Sequence, residues 1–459
     1  MPPAQSASVS ASRDIAAPGN NRPRPISDSE GETGPSAPRK LLVLDLTFTL
    51  EMVRQRGLEE SVTCRDLGGF FTHVWTVHPF ATLLTSESWT PKYGRAVSHD
   101  IDPAHTFIEG KVERFRWLRR VFALNFLFAQ VGLFVSLLRL IRKERIGVIR
   151  AGDGQYLGLF GWGLARLSGI PLVVRVGANY EVNRQTTGYP MQPRLFRTMK
   201  VERVIERFVF RRADLVAGAN QDNLDFALRN GARPEHSTLF RYGNLIDKRH
   251  FADPASRTAE PDRFRRLGIE PGKFLLTIAR LEAINALKHP DDVVRALARV
   301  RAKGHDIKAV IAGEGRMRPA LVELARELGV EEQLILPGNL DQESLAELIP
   351  HATAFVSPHA GRALSEAALG GAPVVAYDID WQRELIETEI TGLLFSHRAW
   401  EEMAAGIERY LQDPGFAKAM GLALRSRALE MLDPARLDRH EREQYARLLD
   451  HPGSPPARL

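Results

Sequence analysis

The sequence predicts an α/β protein made of two successive units, each with a parallel sheet covered by helices on both faces. At 459 residues the chain is longer than a single domain of ordinary size. Short apolar runs alternate with helical patterns on both sides of a polar segment at residues 252–270, which predicts a linker there. With 44% hydrophobic and 26% charged residues, the composition excludes a mainly disordered, collagen-like or coiled-coil chain.

The first 39 residues and the cysteine content carry further information. Residues 1–39 are rich in Ser, Pro, Ala and Gly, so they predict a disordered tail rather than a signal peptide. The single cysteine, Cys64, excludes an internal disulfide framework and a cysteine-rich metal site. It also favours a reducing compartment.

The N-terminal unit is predicted over residues 40–255. Residues 80–110 show no regular pattern and are predicted to be irregular. The long basic helix is predicted to be amphipathic, with an apolar face that carries Leu195, Met199, Val204, Ile205 and Phe208. The expected strands are 40–46, 72–77, 147–151, 171–176, 214–219 and 237–242, and the expected helices are 57–67, 156–167, 194–212 and 222–229.

The C-terminal unit is predicted over residues 256–432. A final helix at 434–449, with a tail, makes up a last segment of 433–459 that is expected to pack back on the N-terminal unit. The expected strands are 273–278, 308–312, 334–336, 354–357 and 373–377, and the expected helices are 291–302, 316–328 and one that begins near Ala363.

Residues 121–141 form the most apolar stretch of the chain. The stretch is long enough for a membrane-spanning helix, but Asn125, Gln130 and Arg139 interrupt it and arginines flank both ends. Three interpretations are open: a buried helix of the α/β unit, a helix on a membrane surface, and a true span. The span is the least favoured, because strand-like segments continue without a topological break.

The charge is distributed unevenly. Residues 111–212 contain 20 Lys or Arg and 6 Asp or Glu, a net charge of +14, whereas the whole chain carries +6. The rest of the chain is therefore slightly acidic. A nucleic-acid binder would interleave aromatic and basic residues or show a known module, and neither pattern is present, so no nucleic-acid partner is expected.

Polar and glycine-rich residues follow three predicted strands of the C-terminal unit. Ligands of open parallel sheets bind at the carboxyl ends of the strands. Arg280 and Lys288 can clamp a diphosphate, the first as a planar fork and the second as a point charge. The Gly313-Glu314-Gly315 turn alone is weak evidence, since a tight turn into a helix explains it equally well. The helix that begins near Ala363 points unpaired N–H groups at the preceding loop, which favours an anion.

In this order the motifs resemble the nucleotide-binding domain of the family 4 retaining glycosyltransferases, which have the GT-B fold. The resemblance runs from Leu275 to about Tyr410. It includes Leu336-Pro-Gly338, then Glu366, then Gly370-Gly-Ala-Pro373, then Glu384 and Thr391-Gly392. It implies two Rossmann-like domains that face each other across a cleft, with a C-terminal helix that crosses back.

The resemblance also implies the roles of individual residues. Arg280, Lys288 and Glu366 would be the catalytic group, with the first two on the donor diphosphate and Glu366 on the ribose. Other residues would contact the donor; these are Gly57, Gly313, Glu314, Gly338, Asn339, Leu340, His359, Gly361, Arg362, Ala363 and Leu364.

The sequence departs from the family pattern at three places. The first Glu of the family's Glu-x7-Glu motif falls at Pro358, so its sugar contact is either absent or supplied by another group such as His359. Gly177 stands where the family often has an active-site His. Asp380-Trp381 replaces the usual glycine pair. Two Asp-x-Asp triplets, at 100–102 and 378–380, are discounted as metal sites because the chain has the two-domain pattern, and no metal is expected.

Five residues that follow strands of the N-terminal unit are candidates for the acceptor side of the cleft. Loop and helix-cap roles remain an equal alternative for each of them. The five are Asp153, Gln155, Arg175, Asn179 and Tyr180.

The expected activity is transfer of a sugar from a UDP- or GDP-linked donor to an acceptor hydroxyl, with retention and with no cofactor. The expected acceptor is a saccharide or is lipid-linked, and the basic N-terminal unit predicts contact with an anionic membrane at its cytoplasmic face. Three alternatives remain: a GT-B epimerase, a sugar-phosphate synthase, or a GT-B protein that has lost catalysis.

Overall fold

The computed structural model describes residues 39–450 except 57, 82–92, 193–194, 242–245, 257–259, 282–287, 360 and 380. The expected tails at 1–39 and after 450 therefore lie almost wholly outside the described residues. Within them the chain forms two sheets, one in each half. The α/β class is confirmed.

The N-terminal sheet has eight strands in the order β3-β4-β2-β1-β5-β6-β7-β8. All neighbours are parallel except β3 and β4. The strands are β1 Lys40–Leu44, β2 His73–His78, β3 Val97–Asp102, β4 His105–Glu109, β5 Val148–Ala151, β6 Leu172–Val176, β7 Leu215–Gly218 and β8 Ser237–Leu239. The helices of this half are α1 Leu50–Arg56, α2 Glu60–Thr63, α3 Phe122–Glu144, α4 Tyr156–Ser168, α5 Tyr180–Thr187, α6 Met199–Phe210 and α7 Gln221–Arg229.

The C-terminal sheet has six strands, all parallel, in the order β11-β10-β9-β12-β13-β14. The strands are β9 Phe274–Ile278, β10 Lys308–Ala312, β11 Leu334–Ile335, β12 Ala354–Ser357, β13 Val374–Tyr377 and β14 Leu393–Phe395. The helices of this half are α8 Pro261–Leu267, α9 Pro290–Ala302, α10 Arg318–Glu327, α11 Gln342–Leu348, α12 Arg362–Leu369, α13 Gln382–Leu385, α14 Trp400–Gln412, α15 Pro414–Leu432 and α16 Pro434–Asp450.

Both sheets are buried on both faces, which is why their strands are nearly continuous apolar runs. In β1, Leu42 and Leu44 belong to one core cluster and Leu41 and Val43 to another. In β9, the same alternation places successive residues in different clusters. Successive side chains of a strand point to opposite faces, so each sheet separates two cores.

The last helix, α16, crosses back to the N-terminal sheet, as predicted. The ring of Tyr445 lies 5.0 Å from that of Phe71 and 5.8 Å from that of Phe240. Glu441 accepts a 3.0 Å hydrogen bond from Arg150 on β5, and both side chains are buried. The preceding helix, α15, packs in the C-terminal core, so the chain passes from one half to the other between residues 432 and 434.

Several local predictions were wrong. The prediction that residues 80–110 are irregular is wrong for 97–109, where β3 and β4 pair antiparallel, and residues 82–92 lie outside the described residues. The predicted linker at 252–270 contains α8, whose Phe264 lies in the C-terminal core. The predicted helix at 57–67 is replaced by the short α2 and a 3₁₀ turn at Cys64–Asp66. These segments are short or polar, and tertiary contacts decided their structure.

The predicted helix at 194–212 is also revised. It is shorter, α6, and its predicted apolar face is wrong at Val204, which is 66% exposed, whereas Ile205 and Phe208 pack against the N-terminal core. The buried side also carries Glu202 and Glu206, and both pair with the fully buried guanidinium of Arg184 on α5. Part of the basic charge of this half is therefore neutralised inside it.

Candidate active site

Three loops at the carboxyl edge of the C-terminal sheet are bonded to one another. The Gly313 N–H donates to Gly338 O at 2.8 Å, and the Leu281 N–H donates to Glu314 O at 2.9 Å. Gly313 has φ +145°, and a Cβ there would lie 1.9 Å from the carbonyl oxygen of Ala279. Only glycine allows the β9 and β10 loops to approach so closely.

The loop after β11 is held by side chains as well. A Cβ on Gly338 would lie 2.8 Å from Oε1 of Glu314, so the Glu314 carboxylate lies against this glycine. Arg318 donates to Glu314 Oε1 at 3.3 Å and to the Leu336 carbonyl at 2.7 Å. Glu314 and Gly338, both predicted donor contacts, are thus neighbours, with Asn339 exposed beside them and Leu340 packed against the core.

Lys288 lies near the Arg280 guanidinium at the end of β9. Burial first, and then the charge of Arg280, lower the pKa of Lys288 to about 8. Arg280 itself is exposed. Two cations held this close in a part-buried loop are unfavourable without an anion between them, which fits a diphosphate site.

The residue after Lys288 is fixed by a network that the sequence did not reveal. His289 has a left-handed backbone, with φ +38°, which is uncommon for a residue with a side chain. Its Nδ1 lies 2.7 Å from Nη1 of Arg398, and its Nε2 lies 2.8 Å from Nε2 of His397. Arginine can only donate, so His289 Nδ1 accepts, its proton is on Nε2, and His397 Nε2 is the acceptor.

The same guanidinium is anchored by the start of α9. Arg398 Nη2 lies 3.2 Å from Asp291 Oδ2, and its Nη1 lies 3.1 Å from Asp292 Oδ2. Tyr377 at the end of β13 donates to Asp292 Oδ2 at 2.8 Å. The end of β13, the start of α9 and the loop after β14 therefore hold the segment that presents Lys288.

The loop after β12 brings His359 into the same group. Burial first, then the charges of Lys288 and His289, lower the pKa of His359 to about 3, so its ring is neutral at neutral pH. Its Nδ1 is buried and has no hydrogen-bond partner among the described residues. An unpaired buried nitrogen beside Lys288 fits a contact with a bound ligand.

Helix α12 starts directly after this loop, at Arg362, with Gly361 as its N-cap. No side chain caps it, so its first N–H groups point toward the loop of His359. Ala363 and Leu364 lie in its first turn. Glu366 is 2% exposed, and its Oε1 lies 3.0 Å from Arg362 Nε in an ion pair outside hydrogen-bond geometry. A buried carboxylate with an unsatisfied oxygen can accept from a ribose hydroxyl.

The predicted donor residues thus gather at one sheet edge, except Gly57, which lies outside the described residues. Within the described residues no group of three or more His, Cys, Asp or Glu could hold a metal ion. Of the two Asp-x-Asp triplets, Asp102 bonds His105 and Asp378 pairs with Arg383.

The five acceptor-side candidates are all buried, none more than 8% exposed. Asp153 accepts the backbone N–H groups of Gln155 and Leu157, and burial raises its pKa to about 6. Asn179 caps α5 through the N–H groups of Glu181 and Val182. These contacts are the helix-cap roles that the sequence left open.

The other three candidates also have internal contacts. Gln155 donates to Glu206 at 2.7 Å, and Arg175 donates to the Phe240 carbonyl at 2.9 Å. The ring of Tyr180 packs edge-on against Phe226. Contact with an acceptor stays a prediction for all five residues.

Glu384 joins the carboxyl edges of the two sheets. Its Oε1 accepts the Gln221 N–H at 2.7 Å and the Asp222 N–H at 3.2 Å, at the start of α7 in the N-terminal half. Its Oε2 lies 2.8 Å from Arg241, which follows β8. The sequence had shown Glu384 only as part of a motif, and its partners come from 143 to 163 residues away in the chain.

A family model matches the half of the chain that contains this site. Residues 260–427 match "Glycosyl transferases group 1", so all the described site residues of the C-terminal half lie inside the match. These residues therefore resemble a group 1 glycosyltransferase domain.

Curated relatives extend the similarity beyond these residues. An alpha-D-kanosaminyltransferase of Streptomyces kanamyceticus is 26% identical over 56% of this chain and 65% of its own length. The N-acetylgalactosamine-N,N'-diacetylbacillosaminyl-diphospho-undecaprenol 4-alpha-N-acetylgalactosaminyltransferase of Campylobacter jejuni is 26% identical over 58% of this chain and 70% of its own length. Other curated relatives are matched over 36–41% of their lengths, so the chain spans less than two thirds of several of the proteins it resembles.

Solved structures share the fold over most of the chain. The Anabaena protein HepE, crystallised in complex with UDP, superposes with a TM-score of 0.64 at 16% identity, over 89% of this chain and 99% of its own. At this identity the likeness concerns the fold alone. The predicted GT-B fold is confirmed.

Proposed function

We propose that this protein transfers a sugar from a nucleoside diphosphate sugar to the hydroxyl of an acceptor. The observation that carries the proposal is the convergence of Lys288, His359 and the uncapped start of α12 at one sheet edge, inside the residues that match the group 1 glycosyltransferase model. Arg280 adds a second cation beside Lys288. Such a site suits an anionic leaving group.

The chemistry follows from where charge develops. As the bond from the anomeric carbon to the diphosphate oxygen breaks, negative charge grows on the diphosphate. Fixed positive groups stabilise that charge without reorganising at the moment of reaction. Arg280 and Lys288 supply full charges, and the α12 N–H groups supply partial charges. Glu366 would hold the ribose.

We also propose that these groups act without a metal ion and that the anomeric configuration is retained. The proposal of retention rests on the family resemblance, in which the acceptor attacks from the face of the leaving phosphate and a phosphate oxygen receives the hydroxyl proton. Turnover in the presence of a chelator, and the anomeric configuration of the product, test the two points separately.

The proposed acceptor is lipid-linked or a saccharide at the cytoplasmic face of an anionic membrane. Support comes from α3, the one described helix that is long and apolar enough to cross a membrane by length and composition. Its Asn125 and Gln130 are buried, while Val121 at its N-cap and Leu124, Phe128, Val131 and Val135 within it are 38–51% exposed. These five, spaced three and four residues apart, form one face of the helix, here termed the apolar stripe.

The apolar stripe favours a helix that lies in the membrane surface rather than one that spans it. Asn125 Oδ1 accepts the N–H groups of Arg114 and Phe115, each at 2.8 Å. Gln130 donates to the Pro79 and Lys111 carbonyls and accepts from the Tyr156 hydroxyl. These bonds tie the inner face of α3 to the domain, so only its outer face is available to lipid.

A donor panel tests the proposal. Thermal unfolding is measured with UDP-, GDP- and ADP-sugars, because a ligand that binds only the native state raises the melting temperature. One donor class should stabilise the protein, and a donor labelled in the sugar should yield a labelled glycoside. Release of free sugar alone would indicate a protein without transfer activity, and a labelled sugar epimer or sugar phosphate would replace the transferase proposal.

A further inference from the structure

The N-terminal end of α3 is bordered by two adjoining cavities that the proposed reaction does not use. Their volumes are about 590 and 710 Å³, within the usual range of about 300–1,000 Å³ for small-molecule sites. Both are lined by Tyr93, Arg116 and Trp117, so they form one continuous depression, here termed the basic pocket. The other lining residues are Gly94, Lys111, Arg114, Phe115, Arg119 and Arg120.

The basic pocket is strongly cationic. Five of its lining residues carry a positive charge, and in the described part of the chain none of these five has a carboxylate oxygen within the 4.0 Å of an ion pair. The nearby carboxylate of Glu113 is buried and bonds to Asn125. Unneutralised guanidinium groups are planar and favour an oxyanion that accepts two parallel N–H bonds, such as a phosphate.

The walls of the basic pocket are held in place by the fold. Residues 113–115 are bonded to Asn125 of α3, which is fully buried. Tyr93 and Gly94 are bridged to Glu113 along the backbone. The Arg116 guanidinium lies 6.0 Å from the centroid of the Tyr93 ring. Because α3 itself supports this wall, the position of the basic pocket is linked to that of the apolar stripe.

The position of the basic pocket relative to the apolar stripe indicates the source of the anion that it binds. The apolar stripe begins at Val121, directly after Arg119 and Arg120, and Trp117 is 76% exposed beside it. An interfacial helix buries its apolar face about 5–10 Å into the boundary between headgroups and acyl chains. Residues that flank its end then lie at the level of the headgroups, where tryptophan and arginine are favoured.

We propose that the basic pocket binds the phosphate of a membrane-lipid headgroup. This proposal rests on the membrane contact in the proposed function and makes it specific, because it assigns one lipid-binding position to the protein. The apolar stripe supplies affinity for any bilayer, and the diffuse positive charge supplies attraction to any anionic bilayer. The basic pocket adds recognition of a phosphate at one point of the surface.

The test compares two variants that lose the same charge. Arg116→Gln with Arg119→Gln removes two cations from the basic pocket. Arg139→Gln with Arg142→Gln removes two exposed cations at the other end of α3 and serves as the control. Sedimentation with phosphatidylcholine vesicles that contain phosphatidic acid measures partitioning of the full chain at low salt. UDP-sugar binding of both variants, by thermal shift, checks that they are folded.

The pocket variant should lose at least tenfold more affinity for these vesicles than the control. Equal losses would overturn the proposal, because diffuse charge attraction depends on the number of charges removed. Failure of the unaltered protein to sediment with the vesicles would instead remove the membrane contact on which the proposal rests. If the basic pocket bound free inorganic phosphate but added no affinity for phosphatidic acid vesicles, the proposal that the bound phosphate belongs to a lipid would be overturned.

A second measurement reports contact directly. Lipids brominated near the headgroup should quench the fluorescence of Trp117, and the difference from a Trp117→Phe variant isolates that signal from the other five tryptophans. Arg116→Gln with Arg119→Gln should remove the quenching, whereas Arg139→Gln with Arg142→Gln should keep it per bound molecule. Quenching that is the same in both variants would contradict a pocket at Trp117.

Discussion

Nδ1 of His289 lies 2.7 Å from a guanidinium nitrogen of Arg398, 109 residues further along the chain. This bond holds His289 in a left-handed backbone, and Lys288 directly precedes it. Arg398 does not itself belong to the predicted donor contacts. It acts on the site by positioning the lysine that does.

Loss of Arg398 should therefore weaken donor binding. In Arg398→Gln, the segment that presents Lys288 is no longer anchored to Asp291 and Asp292, so the KM for the donor should rise about tenfold or more, with a smaller change in kcat. The pKa of His289, lowered to about 4 by burial and then by Arg398, should also rise in an NMR titration. Arg295→Gln is the matched control, because Arg295 pairs with the same carboxylates and does not contact His289. Equal effects of both variants would contradict the positioning role.

Arg280→Ala and Lys288→Ala should each lower kcat/KM by about 10²–10³-fold, the usual cost of one preorganised group that stabilises developing charge. Folding should be preserved, because Arg280 is exposed and Lys288 is a partly buried loop residue. Steady-state kinetics with the donor found by the panel measure the effect. Full activity in Arg280→Ala would refute the diphosphate clamp.

Donor binding should weaken as the pH rises above about 8. The pKa of Lys288 is lowered to about 8 by burial and then by Arg280, and only the ammonium form attracts a diphosphate. In Arg280→Gln the inflection of the donor Kd should move to higher pH, since the neighbouring charge is removed, and in Lys288→Arg it should vanish. Isothermal titration across this range is the measurement, and an inflection at the same pH in Arg280→Gln would contradict the coupling.

The same pKa has a consequence for stability in the absence of donor. The folded-state pKa of Lys288 lies below the ordinary lysine pKa. At pH values between these two pKa values, the unfolded chain therefore binds more protons than the folded protein. The contribution of Lys288 to the free energy of unfolding should therefore increase from about pH 8 upward. Comparison of Lys288→Met with the unaltered protein by denaturant unfolding isolates this contribution.

Glu384→Ala should loosen the contact between the two halves. It removes two backbone acceptors at the start of α7 and the ion pair with Arg241. The radius of gyration in solution should increase, and the KM for the donor should rise, while kcat with saturating donor changes less. Glu387→Ala is the control, because among the described residues the Glu387 carboxylate pairs with Arg427 on α15 of the same half. An unchanged scattering profile in Glu384→Ala would show that this contact does not hold the halves together.

Gly313→Ala should destabilise the protein by about 1–3 kcal/mol, the cost of one strained backbone position, with a further cost from the contact with Ala279 O. Gly361→Ala should change the free energy of unfolding by no more than about 0.5 kcal/mol. Its φ of 174° suits any residue, and nothing lies within 4 Å of the added methyl. Urea unfolding of both variants is the measurement, and equal stabilities would contradict the close approach of the two loops.

The strands were predictable because their burial on both faces leaves a local signal. The predicted β10 and β12 match the observed strands residue for residue, and both are continuous apolar runs. The β3–β4 pair was missed because its outer strand is largely exposed and polar. In α6, the apolar pattern identified Ile205 and Phe208 but could not show that Glu202 and Glu206 are buried as well, because their burial depends on Arg184, a pairing between two helices.

The apolar stretch at 121–141 shows most clearly what a local sequence pattern can predict and what only tertiary contacts determine. Its composition allowed a buried helix, a surface helix or a span. The contacts of Asn125 and Gln130 with the loop before α3 determined which face turns inward. An apolar run by itself contains no information about which neighbours will bond its few polar groups.

The sequence by itself determined the α/β class, the GT-B resemblance and the residues at the donor-side sheet edge, because each depends on local patterns and on motifs in a consistent order. Only the tertiary structure decided that Arg398 holds His289, that Glu384 joins the two halves, and that five cations surround one pocket at the end of α3. These relationships join residues far apart in the chain, and their energies depend on distance and burial, which exist only once the chain has folded.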